Sequence, residues 1–339
     1  MSATVSDALN GKGRLPTQTR NHVREVAEAL GYRPNHTARS LASGKTGLLA
    51  LAVSSPAGMP HVVGEVEYFM QLMSSASAAA LEHGYALVLA PASPEADAWQ
   101  RINPDGAIVV DPIPGDPLLA HLEANGVRTV TTGRDPFDDK RGLWVDNDHQ
   151  AGATAMFGHL SRRGARRIAL LSSEPVHSYV ADIRSAYHEW CAAAAIEPTV
   201  VTAPGTPTEG AGYEAAAYLL DRTPRPDAIY ATLDRLALGA ILAARARGID
   251  VPRGLLVAGC SDSEASRKAD PALTVLNLHP DQIARTAVEI LLDLLEGREP
   301  SRGRVIPTRV IQRGSTFTRT VGKPGTDRSR RSAASGSSR

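Results

Sequence analysis

Residues 149–172 read H-Q-A-G-A-T-A-M-F-G-H-L-S-R-R-G-A-R-R-I-A-L-L-S. The first part has helical spacing and predicts a helix over His149–Arg163. The second turns into a continuous apolar run, Arg167–Ser172. A run without alternation is what a parallel strand needs when helices cover both faces of its sheet. The same unit recurs along the chain. Strands are expected at Leu48–Ser54, Tyr85–Ala90, Gly106–Val110, Arg128–Thr132, Arg167–Ser172, Val200–Thr202, Ala228–Ala231, Leu255–Cys260 and Leu273–Leu276. Helices are expected at Val62–His83, Pro117–Asn125, His149–Arg163, Ile183–Ala195, Thr208–Asp221, Arg235–Arg247 and Asp281–Glu296. Such alternation predicts an α/β body of doubly wound sheets. Nine strands with a break near Asp146 predict two lobes facing across a cleft. Ligands in such folds sit at the carboxyl ends of the strands.

The composition agrees with a large core. Of 339 residues, 42% are apolar, enough for about two domains or one bilobed unit. Two cysteines, Cys191 and Cys260, cannot frame a set of bridges and fit a reducing cytosol. No run of about 18 apolar residues predicts a membrane span. The first residues lack a basic-then-apolar secretion signal. A cytoplasmic location is therefore expected.

The net charge of +1 hides an asymmetry. Residues 1–45 hold seven Lys/Arg against three acids, and residues 318–339 hold six against one, which leaves a net −8 for residues 46–317. A basic head on an acidic body has the electrostatic footprint of nucleic-acid binding confined to the head. The alternative is an ordinary solvated basic surface. Residues 318–339 are dominated by Ser, Gly and Arg and are expected to form a disordered basic tail.

Within the head, Thr17–Leu30 reads as a helix with Val23, Val26, Ala27 and Leu30 on one face and Gly31 at its end. Ser2–Leu9 reads as a shorter helix before it. The segment Y-R-P-N-H-T-A-R-S-L-A-S-G-K-T-G at residues 32–47 then has a break at Pro34, a cap at Asn35 and a helix of about two turns over 36–42. That helix is too short to be stable alone. Arg39 suits phosphates, and Leu41 suits an apolar wedge for a minor groove. A structured linker between two domains is the other reading of these residues.

The motifs T-V-S-D-A-L-N-G-K-G-R (4–14), T-R (19–20), A-E-A-L-G-Y-R-P-N (27–35) and A-R-S-L (38–41) resemble the lactose/galactose repressor (LacI/GalR) family of bacterial transcription factors. The resemblance continues through V-D-N-D (145–148), H-L-S-R-R-G-A-R-R-I-A (159–169), D-R-L-A-L-G-A (234–240) and P-A-L-T (271–274). It implies three parts. Residues 1–45 would be a small all-α helix-turn-helix head with its hinge helix. Residues 46–317 would be a two-lobed, periplasmic-binding-protein-like body for effector binding and dimerisation. Its chain crossings would fall near 146–148, 277–280 and 307–309. Residues 318–339 are the tail.

Carried over by position, Ser2–Leu9 is similar to the recognition helix that enters the major groove. Ser2, Ala3 and Asp7 would face base edges, and Thr4, Asn10, Thr19 and Tyr32 the DNA backbone. Asn35, Ala38, Arg39 and Leu41 would form the hinge contacts, with Leu41 as the wedge. The family's two-fold dimers imply a pseudo-palindromic operator. The family's opening helix and turn have no counterpart before Met1, so the expectation is that translation starts upstream; a head that binds DNA poorly is the alternative. Asp7 stands where many members carry arginine.

In the body, the resemblance implies effector contacts from Asp234, which follows strand 228–231. The alternative for Asp234 is a helix cap. Tyr179, Asp111 and Trp144 are further candidates for the cleft wall, or plain packing. Ile183 falls where sugar-responsive members carry arginine, with Arg184 next to it. Ser261 falls where the first acid of a pair is usual, leaving Asp262. Two groups that grip sugar hydroxyls are thus missing, so a less polar effector, or none, is expected. No nucleophile motif, metal-ligand spacing or nucleotide loop is present, so neither catalysis nor a cofactor is expected. The reading is a dimeric, sequence-specific DNA-binding regulator, most simply a repressor, controlled by a small molecule between the lobes. The rival is a soluble ligand-binding protein with a degenerate head that does not bind DNA.

Overall fold

The computed structural model describes residues 15–30, 44–54, 67–94, 97–135, 142–174 and 177–317. In chain order the elements are α1 (Thr17–Ala29), β1 (Leu48–Val53), α2 (Glu67–Glu82), β2 (Ala86–Leu89), α3 (Ala98–Ile102), β3 (Gly106–Val110), α4 (Pro117–Ala124), β4 (Arg128–Thr132) and β5 (Trp144–Asn147). They continue as α5 (His149–Arg162), β6 (Ile168–Ser172), α6 (Ser178–Ala194), β7 (Val200–Thr202), α7 (Glu209–Leu220), β8 (Ala228–Ala231), α8 (Asp234–Ala246) and β9 (Leu256–Cys260). The last are α9 (Glu264–Lys268), β10 (Thr274–Asn277), α10 (Pro280–Leu295), β11 (Gly303–Ile306), β12 (Arg309–Ile311) and a 3-10 turn at Gly314–Thr316.

Two compact units divide these elements. The first takes Met1–Asn147, Val176–Ser178 and His279–Ile306, and the second takes Asp148–Pro175, Tyr179–Leu278 and Pro307–Arg339. Their sheets share one topology. The first runs β2-β1-β3-β4-β5-β11 and the second β7-β6-β8-β9-β10-β12. Every pairing in the first is parallel. In the second only β12 is antiparallel to its neighbour. In each unit the strand order reverses between the first and third strands, the place where open α/β sheets leave a crevice for a ligand.

The apolar runs are buried because both faces are covered. In the first unit Leu49, Leu51, Ile108, Val110, Val130 and Val145 pack against α2 and α10. The alternate residues Ala50, Ala52, Ala107 and Val109 pack with Trp99, Leu118 and Leu122 of α3 and α4. In the second, Ala169, Leu171, Ile229, Ala231, Val257 and Val275 meet α7 and α8. On the opposite face, Phe157 of α5 lies 5.3 Å from Tyr187 of α6 and 5.4 Å from Tyr230 of β8, ring to ring.

The structure corrects the sequence reading in several places. Twelve strands are described rather than nine. Asp146 lies in the last two residues of β5, and the expected break falls directly after that strand, between Asn147 and Asp148. β11 and β12 carry two R-V-I triplets, 304–306 and 309–311, separated by Pro307 and Thr308; each closes one sheet's edge. Helix α6 begins at Ser178, five residues ahead of the expected Ile183. Tyr and Val near its start are weak helix formers, so the sequence pattern hid that turn. Both cysteines are free and buried. No helix among the described residues is long and apolar enough to cross a membrane.

Candidate functional site

In the first unit the carboxyl ends of β1, β3, β4 and β5 gather polar groups. Ser54 follows β1 and donates to Asp116. Asp116 also caps α4 through the amides of Leu118 (2.9 Å) and Leu119 (3.3 Å), and accepts from the amide of Ile113 (3.2 Å). That carboxylate is fully used in holding the loop. Asp111, directly after β3, adopts a left-handed backbone (φ 50°), and its amide donates to the Thr132 carbonyl at 2.7 Å. Burial, then the neighbouring Asp146 charge, push the Asp111 carboxyl up to about 7. Burial also raises Asp146, which is held against it by three partners. Arg134 Nε is 3.2 Å away, Ser178 Oγ donates at 2.9 Å and the Asn147 amide at 2.7 Å. The Arg134 guanidinium in turn lies over Trp144, 5.8 Å from its ring. His177 is hydrogen-bonded to the backbone of Asp111 and Pro112, and burial holds its pKa below the usual imidazole value.

In the second unit the strand ends of β6, β8 and β9 carry the corresponding groups. Ser173 and Thr232 are buried and meet at the strand-order reversal: the Ser173 amide donates to Thr232 Oγ1 at 2.9 Å. Asp234 is buried, 6% exposed, and accepts from the Arg235 amide at 2.8 Å. It is the first residue of α8, not its cap; Leu233 takes the cap position without a side-chain bond. A carboxylate in a helix's first turn is favoured by the exposed amides there. Tyr179 sits half-buried at the start of α6, its ring 5.8 Å from buried His149. Ser261 is buried directly after β9 in a left-handed conformation (φ 78°), which an L-residue adopts only when its surroundings impose it.

The remaining body candidates are engaged with other groups of the protein. Arg184 reaches Thr202 at the end of β7, with Nη1–Oγ1 3.4 Å. Its neighbour Ile183 is fully buried in the apolar core. Both Asp262 oxygens accept from Arg313 Nη2 at 2.9 Å, and Arg267 adds a further pair at 3.4 Å. Asp262 thereby ties the segment after β12 to the loop after β9. Ser54, Arg134, Asp146, Ser178, His177 and His149 were not foreseen as site residues. They come from segments far apart in sequence, and only the fold brings the first five together.

Burial pushes the Cys260 thiol up to about 12, so it is no nucleophile at neutral pH. Among the described residues no group of three His, Cys, Asp or Glu side chains could hold a metal ion. Of the head positions, Thr19 lies exposed on α1. Ser2, Ala3, Thr4, Asp7, Asn10, Tyr32, Asn35, Ala38, Arg39 and Leu41 lie outside the described residues. Val26 on α1 is 42% exposed, and Leu30, directly after the helix, 78%.

Comparison with known proteins bears on both parts of the chain. Residues 157–316 match the periplasmic binding protein-like domain. Over 324 residues the chain is 29% identical to the HTH-type transcriptional regulator CelR of Thermobifida fusca, covering 92% of this chain and 94% of that protein. It is 27% identical over 336 residues to the HTH-type transcriptional repressor PurR of Salmonella arizonae, covering 93% of each. Among solved structures, a CelR–cellobiose complex superposes with a TM-score of 0.73 at 26% identity, over 91% of this chain and 94% of that one. The lac repressor dimer bound to operator and the anti-inducer ONPF superposes with a TM-score of 0.80 at 23% identity, over 93% and 95%. The named relatives are transcriptional regulators, not enzymes.

Proposed function

We propose that the chain is a member of the LacI (lactose/galactose repressor) family of transcriptional regulators, as its likeness to CelR and its periplasmic binding protein-like domain support, and that it acts as a cytoplasmic, homodimeric repressor on a pseudo-palindromic operator, controlled by a small molecule. One observation carries the DNA-binding part. The likeness to CelR takes in 92% of the chain, whereas residues 46–339 make up only 294 of 339, about 87%. The aligned region therefore reaches into the basic head. PurR supports the repressor sign, and the lac repressor dimer on its operator supports the partner and the assembly.

For the effector we propose contacts from Asp111 after β3 in the first unit, and from Tyr179 at the start of α6, Asp234 at the start of α8 and Ser261 after β9 in the second. Ile183 in the core and Asp262 held by Arg313 support a ligand with fewer hydroxyls than the cellobiose found on CelR. Binding controls transcription only to the extent that the ligand prefers one conformation of the body.

The test uses an operator selected from random duplex DNA. Leu41→Ala removes the proposed wedge from the hinge and is expected to weaken operator binding at least tenfold, with thermal stability unchanged. Wild-type affinity in that variant would contradict the hinge assignment.

A further inference from the structure

The second unit carries a cationic edge that its core does not require. Residues 161–167, S-R-R-G-A-R-R, join α5 to β6, and residues 221–227, D-R-T-P-R-P-D, join α7 to β8. β6 and β8 are adjacent and parallel, so the two loops lie side by side at the amino ends of the strands. Arg167 Nε donates to the Arg225 carbonyl at 2.8 Å and fastens one loop to the other. Together they hold six arginines against two aspartates, on a body that is net −8 over residues 46–317.

Both aspartates are occupied locally. Arg247 grips Asp221 through two bonds of 2.8 and 2.7 Å. Asp227 Oδ1 accepts from the amides of Arg166 (2.9 Å) and Arg167 (2.8 Å). Arg162, Arg166, Arg222 and Arg225 are exposed, and among the described residues none of them forms an ion pair. Arg222 is steadied over the Tyr218 ring at 6.0 Å. Arginines also complement the carbonyl ends of helices, and that accounts for Arg162 and Arg163 at the end of α5. Arg167 is taken up by the Arg225 carbonyl and by Asp227, 3.5 Å away, but nothing of the kind accounts for Arg166 or Arg225, which lie beyond the last helical turn, where the effect has decayed.

We infer that this edge binds the phosphate backbone of duplex DNA without reading its sequence, as a second contact separate from the head. The chemistry favours phosphates over an acidic protein. The patch's exposed rings, Tyr218 and Phe317, each lie against a guanidinium group, of Arg222 and Arg163, rather than forming the apolar centre that a stable protein interface has and a backbone contact does not need. Arginines spread over two loops suit a line of phosphates. The chain continues from the same edge: Arg163 stacks on Phe317 at 5.1 Å and bonds Gln312 at 2.9 Å. Beyond Phe317 follow 22 residues with six basic groups against one acid. The edge thus extends the DNA affinity of the regulator from its head to its body.

The full chain and the variant Arg162→Gln/Arg166→Gln/Arg225→Gln are compared on a non-operator duplex of about 20 base pairs, long enough for several phosphate contacts. Each phosphate contact contributes about 0.9 to the slope of log affinity against log salt. The variant is expected to flatten that slope by about 2 and to bind about tenfold or more weakly at low salt. The corresponding triple lysine variant should keep the wild-type slope. An unchanged slope in the glutamine variant would overturn the inference, as would the same loss in the lysine variant. Loss of binding to poly-glutamate with the DNA slope intact would also overturn it, in favour of an acidic protein partner. A non-operator duplex keeps this test readable whether or not an operator is ever found.

Discussion

Gly239→Ala is expected to destabilise the second unit by about 3 kcal/mol or more and to yield largely unfolded or aggregated protein. Gly239 lies in α8 where that helix crosses α7. A Cβ there would sit 2.5 Å from the Tyr213 amide nitrogen and 2.7 Å from the Gly212 carbonyl carbon, and would collide with the Glu209 carbonyl oxygen. On the other helix, a Cβ at Gly212 would meet the Leu236 carbonyl oxygen at 2.5 Å and its Cα at 2.7 Å. All of these are backbone atoms, so no rotamer change relieves the clash and the helices must separate. Separation would open the apolar layer in which Leu219, Leu236 and Ala240 are fully buried. Denaturant unfolding of Gly239→Ala beside Gly210→Ala makes the comparison, because a Cβ at Gly210 meets only Thr208 Oγ1 at 3.7 Å. Equal stability of the two variants would contradict the close crossing.

Asp111 is expected to make the first unit more stable in mild acid than in mild alkali. Its folded carboxyl titrates near 7, against an ordinary value of 3.8. Below about 4 the group is protonated in both folded and unfolded chains and adds nothing. Between about 4 and 7 the unfolded chain ionises first, so stability falls as pH rises, and above 7 the full penalty is present. Three pH units correspond to about 4 kcal/mol, an upper bound that partial solvent access reduces to about 2–4. The groups facing it are Asp146, whose charge raises it, Arg134, which is paired to Asp146, and His177. Burial lowers the pKa of His177 and of His159, so both histidines favour the opposite direction below about 6.5. The informative quantity is therefore the difference between wild type and Asp111→Asn. That difference should be small at pH 4 and reach at least about 2 kcal/mol in favour of asparagine at pH 8. Thermal unfolding at the two values measures it; a difference independent of pH would contradict the buried acid pair.

Much of the body was legible in the chain because burial on both faces leaves an unmistakable pattern. Strands β3, β4, β7 and β8 run between the residues expected for them: β3, β7 and β8 are short apolar runs, and β4, R-T-V-T-T, is rich in β-branched residues. β5, β11 and β12 escaped notice for the opposite reason. β5 is four residues with polar groups at its end, and β11 and β12 are edges whose residues are mostly exposed or half-buried. Edge strands need no apolar face, so they leave no pattern. Acids placed directly after a strand, such as Asp111, or opening the helix that follows one, such as Asp234, could be picked out for the same topological reason that puts ligands there. Arg134, His177 and Ser178 could not, because 177–178 return to the first unit only for a moment before α6 continues in the second. Nothing in local spacing announces such an excursion. The mismatch at Ile183 was legible as a departure from the family pattern, and its full burial gives the reason: the position belongs to the core.

Selection of random-sequence duplex DNA by the full chain tests the account most directly. Successive rounds should enrich a single inverted repeat, with two half-sites related by the two-fold axis of a dimer, and mutation of either half should abolish binding. A folded, soluble chain that enriches no sequence over the starting pool would contradict the assignment of a sequence-specific repressor and would favour a ligand-binding protein that has lost its operator.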